Sequence, residues 1–268
     1  MKALELLAED PASPRWELPP RLELLYGGPL GFDEPCLVAN FVQTLDGVVA
    51  IPDLPSSNAV IADRSEADRF VMGLLRACAD AVLLGSGTLR ASPAGTWRAD
   101  RAYPPGARAF RALREGRGLP EHPAVAIVTA GRSFDPRHPV LERGAVVLTT
   151  TAAAPGVAAA VPAAAEVVAV NDGDAVDAAA ALGKLRERGH RVVLSEGGPT
   201  LFASLLASRL VDELFLTVAP LLAGRRLGPR LSLVEGVELL PERRVSGSLR
   251  SVRRADGHLF LRYAVSGP

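Results

Sequence analysis

Val192-Val193-Leu194-Ser195-Glu196-Gly197-Gly198-Pro199-Thr200 is the stretch on which the fold turns. An apolar run is cut off by a diglycine, after which Leu201, Leu205, Leu206 and Leu210 recur at helical spacing. That pattern predicts a buried strand, a tight turn and an amphipathic helix. Pro199 suits the first helical turn, where its missing N–H would have no partner in any case. The N–H groups around residues 198–201 then point out of the positive end of the helix dipole, which makes a site for a pyrophosphate. Glycine at 197 and 198 lets a bound molecule approach the backbone closely. Read alone, the stretch also fits an ordinary strand-to-helix connection. Glu196 falls at the carboxyl end of the strand, where open α/β sheets bind their ligands.

Strands alternate with helices on either side. Cys36–Gln43 reads as a buried strand. Residues 65–78 read as a helix, with Ala67, Phe70, Val71, Leu74, Leu75 and Cys78 on one stripe and Ser65 and Asp68 as a capping box. Strands follow at 81–84, 125–129, 145–150, 166–170, 191–194 and Glu213–Val218, with a further helix at 175–188. From about 239 to 265 the pattern is antiparallel, turned by Ala255-Asp256-Gly257. The expectation is an α/β fold whose central sheet is mostly parallel, with antiparallel C-terminal edge strands and helices on both faces. Residues 1–35, dense in Pro and Gly, are expected to be an irregular extension, and 36–268 a single domain. The polar run from Arg90 to about Glu121 is expected to be a mobile lid or an insertion beside a site.

Composition narrows the function classes. The chain has 268 residues, 48% of them hydrophobic, enough for a sizeable core. Lys+Arg and Asp+Glu both number 30, and this zero balance argues against nucleic acid and against a polybasic membrane anchor. No run reaches the ~20 apolar residues of a membrane span. The first residues lack the apolar core of a secretory signal, so a cytoplasmic protein is expected. The two cysteines, Cys36 and Cys78, make neither a disulfide framework nor a four-ligand zinc site. His122, His138, His190 and His258 are scattered without metal spacing, so no metal is expected and each reads as a surface or loop histidine. Gly183-Lys184 is followed by Leu185 rather than Ser or Thr, which removes the phosphate-loop reading. No serine has the Gly-x-Ser-x-Gly setting of a hydrolase nucleophile.

A second glycine turn, Gly85-Ser86-Gly87-Thr88, ends the strand at 81–84. By itself it is a weak dinucleotide signal, because Arg90 stands where the fingerprint has its third glycine. Two such turns flanking one crevice make a dinucleotide site a stronger reading than either alone.

Thr44-Leu45-Asp46-Gly47-Val48-Val49-Ala50 resembles the Ser-Leu-Asp-Gly-Lys-x-Ala segment of the pyrimidine reductases of riboflavin biosynthesis. The run from Leu74-Leu75-Arg76 through Asp80-Ala81 to Gly85-Ser86-Gly87-Thr88 is similar to a second segment of that family. Glu196-Gly197-Gly198-Pro199-Thr200, Val211-Asp212-Glu213-Leu214 and Ala219-Pro220-Leu221-Leu222-Ala223-Gly224 are similar to its C-terminal signature. The resemblance implies a dihydrofolate-reductase-like fold and use of NADPH to reduce the ribose of a ribosylaminopyrimidine phosphate to a ribityl chain. It implies NADPH contacts from Ala50, Gly85, Gly87, Thr88, Gly197, Gly198, Pro199, Thr200 and Leu201, on the helix start 198–204. Thr129, before Gly131-Arg132-Ser133, joins them as a candidate. Arg76, Glu196 and Arg98 are the candidate substrate contacts. Asp46 and Glu196 are the candidate proton donors, with water as the alternative.

The chain also departs from that pattern. Val48 stands where the family has a substrate-facing Lys or Arg, and 92–98 replaces an Asp-containing phosphate segment. The fused zinc deaminase has no counterpart, so a stand-alone reductase is expected, as a homodimer acting on a small molecule. A dihydrofolate or pterin reductase on the same fold and a non-catalytic NADPH-binding protein are the alternatives.

Overall fold

The computed structural model describes residues 1–52, 54–131, 134–225 and 228–266. Along the chain come β1 (Glu5–Glu9), α1 (Pro20–Tyr26), β2 (Cys36–Gln43), α2 (Ser57–Ile61), α3 (Glu66–Cys78), β3 (Ala81–Gly85) and α4 (Ser86–Ala91). Next are α5 (Ala99–Ala102), α6 (Ala107–Gly116), β4 (Ala124–Val128), β5 (Val146–Thr150), α7 (Ala154–Ala160), β6 (Glu166–Asn171) and α8 (Ala178–Glu187). Last come β7 (Val192–Ser195), α9 (Pro199–Ala207), β8 (Glu213–Val218), β9 (Ser246–Ala255) and β10 (His258–Ser266). Among the described residues they form one sheet in the order β1-β9-β10-β8-β2-β7-β3-β4-β5-β6. From β8 to β6 every neighbouring pair is parallel, and β10, β9 and β1 add an antiparallel edge.

The central strands read as near-continuous apolar runs because they are covered on both faces. In β3, Val82 and Leu84 pack in one core with α1, α3 and α6, while Leu83 packs in a second core with α8 and α9. The expected mixed α/β architecture, with helices on both faces, is the one observed. β7 lies between β2 and β3, with Val193–Ser195 opposite Ala81–Leu83. The Gly197-Gly198 turn therefore emerges at the middle of the sheet. The C-terminal hairpin also matches its expectation: His258 pairs with Ala255 across a two-residue turn, Asp256 and Gly257 both at positive φ.

Two segments differ from the sequence reading. Residues 1–35 are not irregular: β1 pairs antiparallel with β9, and Leu4, Leu22, Tyr26, Leu30 and Phe32 are buried in the same core as α3. The prolines and glycines that read as breakers mark element ends. Pro20 opens α1, and Gly27, at φ +74°, closes it by donating to the carbonyls of Glu23 and Leu24. A Cβ there would run into the Leu4 carbonyl oxygen. The polar run 90–121 is largely helical rather than a lid, because α6 buries Phe110 and Leu113 against α3. Its arginines disguise this. Arg114 is itself buried and donates to the carbonyls of Arg76, Ala77 and Ala79 at 2.6–3.3 Å, closing the end of α3.

One buried ion pair fastens the antiparallel edge to the parallel body. Arg262 on β10 donates to both oxygens of Glu213 on β8, at 2.6 and 2.7 Å, and to the Gly31 carbonyl at 2.6 Å. Removing one partner strands the other charge in the core, so Glu213→Ala should cost about 3–5 kcal/mol. Replacing both residues with apolar ones of similar volume should cost far less. Urea unfolding of the two variants checks the contrast.

Candidate active site

A cleft of about 390 Å³ opens at the carboxyl ends of the central strands. Its walls are the end of β2 with Val49 and Ala50, one face of α3, the segment from Thr88 to Trp97, and the turn between β7 and α9.

The β7–α9 turn follows from its sequence. Gly198 is the extended residue before the helix, Pro199 occupies the first turn, and Phe202 N–H closes the first backbone bond onto Gly198 O at 3.1 Å. The N–H groups of Thr200 and Leu201 have no partner among the described residues, as the start of a helix dictates. The two glycines do different work. A Cβ at Gly197 would meet Leu201 Cδ2 at 2.5 Å and its Cβ and Cγ at 3.1 Å, so a side chain here would force Leu201 to shift. A Cβ at Gly198 would meet only Thr88 Oγ1, at 3.6 Å. Thr88 and Gly198 thus face each other, which brings the two glycine turns together. A Cβ at Gly87 would meet nothing within 4 Å, and one at Gly85 would make only ordinary contact with Leu201. Ala50 also lines the cleft and accepts a backbone bond from Leu231 N–H at 3.0 Å.

Thr129 is placed elsewhere. It is buried and its hydroxyl accepts from Gly131 N–H at 3.1 Å, so it shapes its own turn and does not line the cleft. Arg132 and Ser133 lie outside the described residues.

The four candidate charged residues are also rearranged. Arg76 and Glu196 do meet in the cleft, but as one unit. Arg76 Nε and Nη2 donate to Glu196 Oε1 and Oε2 at 2.8 and 2.6 Å, with both side chains about nine-tenths buried. This fork makes a fixed floor rather than a free cation beside a free acid. Arg76 is buried because the second half of α3 is covered all round. Arg98 turns to Asp100, at 3.0 and 3.1 Å, and only its carbonyl oxygen reaches Arg76, at 3.4 Å. Its side chain does not line the cleft. Asp46 lies outside the cleft as well. Thr44 hydroxyl and the N–H groups of Ala223 and Gly224 donate to its carboxylate at 2.5, 3.0 and 2.8 Å. Those bonds hold the Asp46 carboxyl down at about 2 and tie the 44–48 turn to the 219–224 loop.

Three residues that the sequence did not offer as site candidates also line the cleft. Asp68 is half-buried on α3, and burial lifts its carboxyl to about 6, against the pull of the Thr217 hydroxyl and His258. Its backbone N–H bonds Ser65 Oγ at 3.2 Å, as the capping reading expected. Ser65 N–H, however, donates to Ala62 O, so the Asp68 carboxyl is released from the cap and faces the cleft. Arg69 and Arg101 are exposed on the cleft wall, and among the described residues no carboxylate pairs with either. The signal was present: Arg69, Met72 and Arg76 stand at i, i+3 and i+7, a polar-edged stripe beside the apolar one.

The glycine geometry gives a direct test. Gly197→Ala should lose about 1–3 kcal/mol through overpacking against Leu201, whereas Gly198→Ala should stay within about 0.5 kcal/mol of the parent. Thermal unfolding of both variants measures the difference.

A family model described as the RibD C-terminal domain matches residues 35–251. A search of curated proteins returns no match. Among solved structures, a pyrimidine reductase-like protein of Corynebacterium diphtheriae is similar at a TM-score of 0.68 and 21% identity, over 87% of this chain and 92% of that one. The diaminohydroxyphosphoribosylaminopyrimidine deaminase/5-amino-6-(5-phosphoribosylamino)uracil reductase of Thermotoga maritima is similar at 0.61 and 23%, over 87% of this chain and 57% of that one. The Acinetobacter baumannii RibD is likewise matched over only 60% of its length. The riboflavin biosynthesis reductase of Saccharomyces cerevisiae is similar at 0.56 and 16%, over 90% and 94% of the two chains. These structures share the fold. The family match takes in every motif from Thr44 to Gly224, and the chain belongs to the RibD C-terminal domain family.

Proposed function

We propose that the chain is an NADPH-dependent reductase that converts a ribosylaminopyrimidine 5′-phosphate to its ribitylamino product. One observation carries this reading. A single cleft joins a helix start with unpartnered N–H groups to a carboxyl lifted to about 6 and to two guanidiniums that no described carboxylate neutralises. The donor set fits a dinucleotide: the first turn of α9 offers N–H groups to a pyrophosphate, and Gly87 and Gly198 leave the approach open. Ala50, Gly85, Gly87, Thr88 and residues 197–201 would hold it. When bound, NADPH supplies a hydride.

The chain's own residues do the rest. Arg69 and Arg101 hold the substrate phosphate at the cleft wall through charge-assisted bonds. The Arg76–Glu196 floor orients the group to be reduced. Asp68, in its protonated form, donates to the nitrogen of the ring-opened imine. Membership in the RibD C-terminal domain family supports the pyrimidine substrate.

A dihydropterin substrate is the second reading. Val48, where the family pattern has a cation, is apolar and buried, and an acid in the cleft suits protonation of a ring nitrogen. Consumption of the reduced nicotinamide with the pyrimidine phosphate and with dihydrofolate separates the two. Binding of NADPH with turnover of neither would leave a non-catalytic binder.

Two further outcomes are expected. Arg69→Ala should raise KM for the phosphorylated substrate by the about 1.5–3 kcal/mol of a charged hydrogen bond and leave NADPH affinity unchanged. Asp68 binds its proton more tightly in the folded chain than its ordinary value of 3.8 allows. Its contribution to stability is therefore full below about 4 and is lost as pH rises to about 6, and turnover falls through about 6 as the acid is lost. Asp68→Asn should remove Asp68's share of the stability slope and the fall in turnover, read against the parent by urea unfolding and by the pH profile of kcat.

A further inference from the structure

His138 stands among the scattered histidines of the sequence, yet in the fold it is 1% exposed and lies directly behind one wall of the cleft. That wall is the segment 92–97, five of whose residues line the cleft. His138 comes from the connection between β4 and β5 and lines no part of the cleft itself.

The bonding fixes what each ring nitrogen does. A backbone N–H can only donate, so Nδ1 accepts from Val140 N–H at 3.2 Å. Nε2 then carries the hydrogen that the Ser92 carbonyl accepts at 2.9 Å. The imidazole also lies against the Trp97 indole, with ring centroids 5.6 Å apart. Trp97 is buried and sits at φ +49°, a left-handed conformation unfavourable for an aromatic residue. Such a residue persists only where its surroundings over-determine it. Gly95 supplies one constraint, since a Cβ there would meet Trp97 Cη2 at 2.6 Å. Arg76 supplies another by bonding the carbonyl of Arg98, the next residue. The wall is thus pinned at Ser92 by His138 and at Arg98 by the ion-paired floor, with the strained tryptophan between.

We propose that His138 is a positioning residue: it holds Trp97 against the cleft and, through Trp97, sets affinity for the substrate but not for the cofactor. The first half stands on geometry alone, and the second rests on the reading of this cleft as a reductase site. The cofactor contacts proposed above lie at Thr88, nine residues before Trp97 in the chain, and on the β7–α9 turn at residues 197–201.

The test uses the full chain carrying Trp16→Phe, which leaves Trp97 as the single tryptophan. His138→Ala, His138→Asn and His138→Gln are compared with the parent by acrylamide quenching and emission wavelength. The Gln amide can still donate to Ser92, whereas Asn keeps only the acceptor for Val140 N–H. Quenching should rise about threefold or more, with a red shift, for Ala and Asn, and stay near the parent for Gln. In turnover with the pyrimidine phosphate, Ala and Asn should raise KM about tenfold with kcat within about twofold, and NADPH affinity should not change. If the Ala variant does not fold, the Asn and Gln pair carries the comparison. Unchanged quenching in Asn, Gln as loose as Asn, or an equal loss of NADPH affinity would overturn the proposal. If the parent turns over neither the pyrimidine phosphate nor dihydrofolate, the quenching still decides the anchor, and it is the functional reading that falls.

Discussion

The guanidinium of Arg76 donates to both oxygens of Glu196 at the point where three parts of the chain converge. Arg76 ends α3, Glu196 begins the glycine turn before α9, and the Arg98 carbonyl ties in the wall that carries Trp97. Burying two charges is costly unless their geometry is good and their remaining hydrogen-bonding groups are satisfied. Here the fork is bidentate, and a third guanidinium nitrogen is spent on a carbonyl. Such a pair contributes orientation more than net stability. It sets the distance between α3, which brings Asp68 and Arg69, and the glycine turn, which brings the free N–H groups.

A second clamp works the same way at the rim. The Asp46 carboxylate gathers the Thr44 hydroxyl and two backbone N–H groups from the 219–224 loop, joining segments about 180 residues apart in sequence. Two of the family motifs are therefore two halves of one joint. The same economy appears at Arg114, which closes α3 by donating to three carbonyls and so frees no cation for a ligand. Arg76, Asp46 and Arg114 are thus all spent on holding the structure together. Arg69 and Arg101 differ in that no carboxylate among the described residues pairs with either.

Much of the architecture is legible in the order of the residues. Cys36–Gln43 and Glu213–Val218 fall where the apolar runs place them, and the Asp256-Gly257 turn sits where its residue types put it. Local rules suffice there, because strand burial and turn chemistry are written in neighbouring residues. Local rules fail where distant contacts decide. β1 is a strand only because β9 offers it an edge, and α6 is amphipathic only if Arg114 is allowed inside.

At the cleft the division is sharper. The sequence by itself determined the glycine turn, the proline that opens α9 and hence the unpartnered N–H groups, because these depend on residues within one turn of each other. It also put Ser65 and Asp68 at a helix start. Only the tertiary structure decided which charges are free. Arg76 and Glu196, 120 residues apart, neutralise one another, and Arg98 turns to Asp100. Asp68 is lifted because burial beside Glu196 disfavours its charge, and no pattern along the chain records that neighbour. A side chain's type is local, but its partner and its desolvation are set by what the fold brings to it.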